Sequence, residues 1–259
     1  LNNGATIEEI FRESQKNQWP PQISIKAMFK FVKKLSEAEL VVFSQKIPEN
    51  LQEEFVRSLA QGQISLALAR NLANPIAISL YIDRIKDNPK FDESIALKNK
   101  FTSIISGTLD NDRIPSQKIA DLLIALQTIG TQESQSVLRN FLETQLHQQT
   151  PDLPQFINVG LFALSEMNLG PKEKSLFEKV IEDSRSSTLV KNTLARSYID
   201  NFPASDQIRD YLIDPQFQSA FMPAVFRSEQ AVQLLSAAST EADEEYKHHA
   251  FNQSLFQIY

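Results

Sequence analysis

Four apolar positions return almost unchanged one helical hairpin further along the chain. Leu123, Ala125, Leu126 and Ile129 recur as Leu161, Ala163, Leu164 and Met167, each 38 residues on. A second stripe, Val137, Leu138, Phe141 and Leu142, recurs 39 residues later as Leu176, Phe177, Val180 and Ile181. Ile208, Tyr211 and Leu212 continue that stripe, and Phe55, Val56, Leu59 and Ala60 precede it with the same i, i+1, i+4, i+5 spacing. That spacing puts large side chains on one face of a helix. One helix pair per roughly 30 to 40 residues is the period of a stacked repeat. A lone two-helix hairpin cannot bury both of its stripes, so each hairpin needs its neighbours.

The remaining composition agrees with helices. Among 259 residues there are only 6 Gly and 12 Pro, and Asn3-Gly4, at the start, is the only dipeptide of the tight-hairpin type. Ser or Thr followed three residues on by an acid marks helix starts at Thr6 with Glu9, Ser36 with Glu39, and Thr240 with Asp243. The pattern predicts helices at about 6–16, 22–34, 37–46, 49–60, 64–72, 75–87, 93–107, 116–129, 132–147, 154–167, 172–184, 187–201, 204–213, 228–238 and 240–256. Crowding of Phe217, Phe221, Met222 and Phe226 around Pro215 and Pro223 reads as too irregular for one clean helix.

The segment Leu123-Ile-Ala-Leu-Gln-Thr-Ile-Gly130-Thr-Gln-Glu-Ser-Gln-Ser-Val-Leu138 resembles a HEAT repeat. In that family the first helix ends on an Ala-Leu…Ile-Gly phrase and the second opens with an acid and an apolar pair. The likeness covers 116–147 best and 154–213 less closely. It implies an all-α fold, a HEAT-like α-solenoid or helical-hairpin superhelix, with 1–259 as a single repeat domain and soft breaks near 88–92 and 147–154. The Trp…Leu-Gly…Tyr pattern of tetratricopeptide repeats is absent.

Chemistry-bearing motifs are sparse. No Gly-x-Ser-x-Gly, phosphate loop or dinucleotide fingerprint occurs, and zero cysteines remove thiolate ligands and thiol nucleophiles. Asp110-Asn111-Asp112 opens like a calcium loop, but Ile114 and Pro115 stand where an oxygen ligand and a glycine are required. The three histidines are His147, His248 and His249, and the pair near the end shows Glu-to-His i, i+4 spacings with Glu244 and Glu245, a pattern for pairing on an exposed helix. No metal and no cofactor is expected. A formal charge of −6 with a pI near 5.2 argues against a nucleic-acid groove, including that of a HEAT-like DNA glycosylase. No window approaches the roughly 18 apolar residues of a membrane span, so the chain reads as soluble, not integral to a membrane.

Two surfaces stand out for contact. In 25–35, Met28, Phe31, Val32 and Leu35 share a face, with Lys26, Lys30, Lys33 and Lys34 mostly opposite, as an acidic partner or a peripheral anionic membrane contact would require. The group Phe217, Phe221 and Phe226 is either core filler or an anchor for a partner, and Trp19 beside Pro20-Pro21 poses the same choice. The expected function is a non-enzymatic protein-protein interaction or scaffold module for a protein or peptide partner. An accessory or regulatory domain of a larger enzyme and a lipid- or membrane-associated helical domain are the alternatives.

Overall fold

A computed structural model describes residues 7–18, 32, 35–111, 114–148, 153–203 and 205–227. Lys26, Lys30, Lys33 and Lys34, Trp19, the C-terminal histidines, the caps expected at Thr6 and Thr240, the helix expected at 22–34 apart from Val32, and those expected at 228–238 and 240–256 lie outside the described residues. The structure is all-helical, with no strand among those residues. None of their helices is long and apolar enough to cross a membrane. The chain divides into two compact units, Leu1–Val137 and Leu138–Tyr259. The division falls within one helix, α9 (Gln132–Leu146).

In the first unit α1 (Ile7–Lys16) is followed by α2 (Glu37–Ser44), which starts where a full capping box forms. The Ser36 hydroxyl accepts from the Glu39 amide, and the Glu39 carboxylate accepts from the Ser36 amide at 2.8 Å. A 3-10 turn (Glu49–Leu51) leads into α3 (Gln52–Ser58), and Ser65 caps the short α4 (Leu66–Ala69). Asn74 at the N-cap and Pro75 in the first turn start α5 (Pro75–Ile85). The expected break at 88–92 contains a helical turn, α6 (Pro89–Asp92), which Asn88 caps and buried Phe91 pins before α7 (Ile95–Leu109). Next, α8 (Ser116–Ile129) stops at Gly130, whose φ of 66° is the left-handed conformation that a side chain resists.

Direction is set by polar contacts at both ends of the helices. At the start of α3 the buried Gln52 Oε1 accepts from the amides of Ala73 and Asn74, 2.8 Å each, at the start of α5. At the far end of α5 Arg84 donates to the carbonyls of Val56 and Leu59, 2.6 Å each, where α3 ends. Like ends meet, so α3 and α5 run parallel. Helix α3 stops at Ser58 although the pattern predicts helix to about residue 60; the Val56 carbonyl accepts from both the Leu59 amide, at 3.3 Å, and Arg84, and that of Leu59, in extended backbone, accepts from Arg84. Beyond α5 the packing continues onto α7 and α8, and the α8 stripe of Leu123, Ala125, Leu126 and Ile129 is buried.

The second unit is also built of helices alone among its described residues. After α9 come α10 (Gln155–Ser165), α11 (Pro171–Glu182), α12 (Thr188–Asn201), α13 (Asp206–Ile213) and α14 (Pro215–Val225). Helix α12 packs on α10, α11 and α14. Leu176, Phe177, Val180 and Ile181 have no exposed surface, and each such side chain is worth about 1.5 to 3 kcal/mol of burial. In its partner stripe Leu138 and Leu142 are buried, while Phe141 is half-buried with its ring 6.0 Å from that of Phe156.

The segment around Phe217 departs from expectation by forming one regular helix, α14. Asp214 accepts from the Gln216 amide at its start, Pro215 occupies the first turn, and Pro223 is tolerated within the helix near its end. The Arg84 contacts give the energetic test of this architecture. Hydrogen bonds to a charged donor are worth about 1.5 to 3 kcal/mol, so Arg84→Met should lower the unfolding free energy by about 2 kcal/mol in urea titrations while leaving native helicity unchanged. An unshifted midpoint would show that these contacts do not hold α5 to α3.

Candidate functional site

Helices α9 and α11 are joined at two levels, and a groove lies between the joints. At the first, Arg139 Nη1 of α9 meets Glu173 Oε1 of α11 at 2.7 Å, with both side chains largely shielded from water. Glu173 sits in the first turn of α11, and its other oxygen accepts from the Gly170 amide at 3.0 Å. A Cβ on Gly170 would come within 3.2 Å of that oxygen. Burial pushes the Glu173 carboxyl pKa upward, but the bond from Arg139 and the backbone amides more than cancel this and leave it below the usual glutamate value.

The second joint is Arg185, in the loop after α11. Its Nη2 donates to the Leu146 carbonyl at 2.9 Å and its Nη1 to the Gln148 carbonyl at 2.8 Å, capping the C-terminal end of α9. Asp183 holds the guanidinium in place, accepting from Nε at 3.0 Å and from Nη2 at 2.7 Å. That bonding to Arg185, opposed by burial, keeps the Asp183 carboxyl below its ordinary range. The middle of α9 meets the start of α11, and the end of α9 meets the loop that follows α11, so these two helices also run parallel.

Between the joints is a groove of about 200 Å³ lined by Glu143, Leu146, His147, Leu176, Lys179 and Asp183. Leu176 is buried, Glu143 and Leu146 are half-buried, and His147 and Lys179 are exposed. Glu143 and Lys179 face the groove from different helices, and neither side chain has a hydrogen-bond or ion-pair partner among the described residues. The Asp183 carboxylate is engaged by Arg185. No group of three metal-ligating side chains occurs among the described residues. The groove thus offers a leucine floor, one carboxylate and one ammonium, a set suited to holding a ligand without covalent chemistry.

The aromatic residues expected near the C-terminal end separate into different roles. Phe221 is fully buried, its ring 4.7 Å from that of Tyr211 and 6.3 Å from that of Tyr198, so it belongs to the packing. Phe217 and Phe226 are half-buried, and Phe217 lies 5.1 Å from Tyr211 with Lys191 Nζ 5.8 Å from its ring centre. The Tyr198 hydroxyl donates to Glu178 at 2.5 Å and the Tyr211 hydroxyl to Glu182 at 2.8 Å. Burial, then the bond to a carboxylate, raises both phenol pKa values. This bonded cluster closes the core between α11, α12, α13 and α14.

Sequence reasoning passed over the groove. Its signal is a pair of i, i+4 couples, Glu143 with His147 and Lys179 with Asp183, each resembling ordinary helix-surface pairing. No family model matches the chain, and no curated protein or solved structure matches it either.

The Arg139–Glu173 pair sets a pH dependence. A carboxyl whose pKa is lowered on folding contributes stability above its unfolded value, about 4.3 for glutamate, and loses that contribution as the pH falls through the folded value. Glu173→Gln should therefore cost about 3 kcal/mol at pH 7, where it leaves Arg139 buried without its counter-charge, and the gap to the parent should narrow below about pH 4. Urea titrations from pH 7 to pH 3 check this, and a constant gap would contradict it.

Proposed function

We propose that the chain is a HEAT-like α-solenoid acting as a non-enzymatic interaction module that presents a repeat surface to a protein or peptide partner. The observation that carries this reading is the parallel stacking of next-but-one helices, α3 with α5 and α9 with α11, each pair tied by a cation of the later helix or its loop to the carbonyl end of the earlier one. Glu182 near the end of α11 likewise meets Tyr211 near the end of α13. Such stacking supports a repeat array, because each hairpin completes the core of the next. It also supports an interaction role: the stripes consume the apolar interior, and buried Gln52 and Glu173 are engaged in ties between helices, which leaves the outer faces to supply specificity.

Within this reading the contact regions are the groove between α9 and α11, the half-buried Phe217 and Phe226, and the basic segment with Lys26, Lys30, Lys33 and Lys34. The immobilised protein, challenged with a displayed library of random peptides at physiological salt, should enrich sequence-related peptides that bind one to one in solution. Failure to enrich any peptide contradicts the reading. So does turnover of an ester, phosphate or glycoside substrate by the pure protein, abolished by one carboxylate substitution that leaves Tm unchanged.

A further inference from the structure

The geometry points to the groove between α9 and α11 as a subsite for one apolar side chain of a peptide that carries a basic residue on one flank and an acidic residue on the other. The inference rests on the interaction-module reading and names the partner chemistry of one of its surfaces. Volume is the first argument. Sites for small molecules run to about 300 to 1,000 Å³ and enclose most of their ligand, whereas this groove measures about 200 Å³, room for a side chain whose backbone stays outside. Its leucines, Leu146 and Leu176, come from different helices and give that side chain apolar contact.

Charge is the second argument. Most other charged groups around the groove are committed: Arg139 to Glu173, and Arg185 to Asp183 and to the carbonyls of Leu146 and Gln148. Glu143 on α9 and Lys179 on α11 are not paired with each other or with another described residue. A peptide laid across the groove brings a base to Glu143 and an acid to Lys179 while its central side chain covers the leucines. The two joints hold the walls in register, so little ordering is needed on binding.

The test uses the whole chain and labelled nine-residue peptides with a central Leu, an acid two residues to one side and a base two residues to the other. Fluorescence anisotropy should show one-to-one binding that Lys179→Glu and Glu143→Lys each weaken by about tenfold, with Tm unchanged. Binding to Lys179→Glu should return when the peptide's acid is replaced by Lys, and replacing the central Leu by Gly should abolish binding to the parent. If library-selected peptides bind but are indifferent to both charge reversals, the groove is not the subsite and the interaction-module reading stands. If neither the library nor the designed peptides bind, both fail. If free leucine binds as tightly as the peptides, the groove is a small-molecule site and the inference is overturned.

Discussion

Every α-helix ends with carbonyl groups that its own backbone cannot satisfy, carrying a partial negative charge, and in this protein cations from later in the chain satisfy several of them. Arg84 binds the carbonyls of Val56 and Leu59, Lys100 those of Arg70 and Leu72, and Arg185 those of Leu146 and Gln148. The distances, 2.6 to 2.9 Å, are those of charge-assisted bonds. Burial depresses the Lys100 pKa, so its charge is held against a desolvation cost that the two carbonyls offset. Each contact does two things at once. It satisfies carbonyls at or just beyond the end of a helix, and it ties a later segment to an earlier one.

Apolar stripes alone would leave that register loose, because a row of leucines and isoleucines can slide by a turn at small cost in buried area. A guanidinium set on two carbonyls cannot slide without leaving a charge and two acceptors unpaired. Each of the two helix pairs has a second polar tie, Gln52 to the amides of Ala73 and Asn74 at the start of α3, and Arg139 in the middle of α9 to Glu173. Local polar bonds thus specify the neighbour while burial supplies most of the stabilisation. The groove between α9 and α11 is a by-product of the same arrangement: two parallel helices tied at two levels leave a gap between the ties, and the side chains that border it need not pair with each other.

The helices were largely legible in the sequence because their signals are local. The expected helix at 116–129 is observed as Ser116–Ile129, and Gly130 ends it as a left-handed glycine should. The capping box at Ser36 forms as its residues require. Most positions of the repeating stripes are buried; Val137, Phe141 and Met167 are half-buried and Ala60 is exposed. Less legible was whatever depends on a partner distant in sequence. A backbone carbonyl has no residue type, so nothing in Val56 or Leu146 announces a cation 28 or 39 residues away. Phe91 and Phe221 sit in segments whose prolines suggested irregular chain, yet burial of those rings, with Asn88 and Asp214 as caps, holds short helices there. Glu143 and Lys179 look like solvating charges until the helices carrying them are seen side by side.

If cations on carbonyl ends set the register, removing one should loosen its own neighbourhood and not the whole chain. Hydrogen exchange read amide by amide in the parent and in Arg185→Met measures this directly. The account predicts lost protection in the last turn of α9 and along α11, with α3, α5 and α8 exchanging as in the parent. Equal loss in every helix, or no loss at the end of α9, would contradict it.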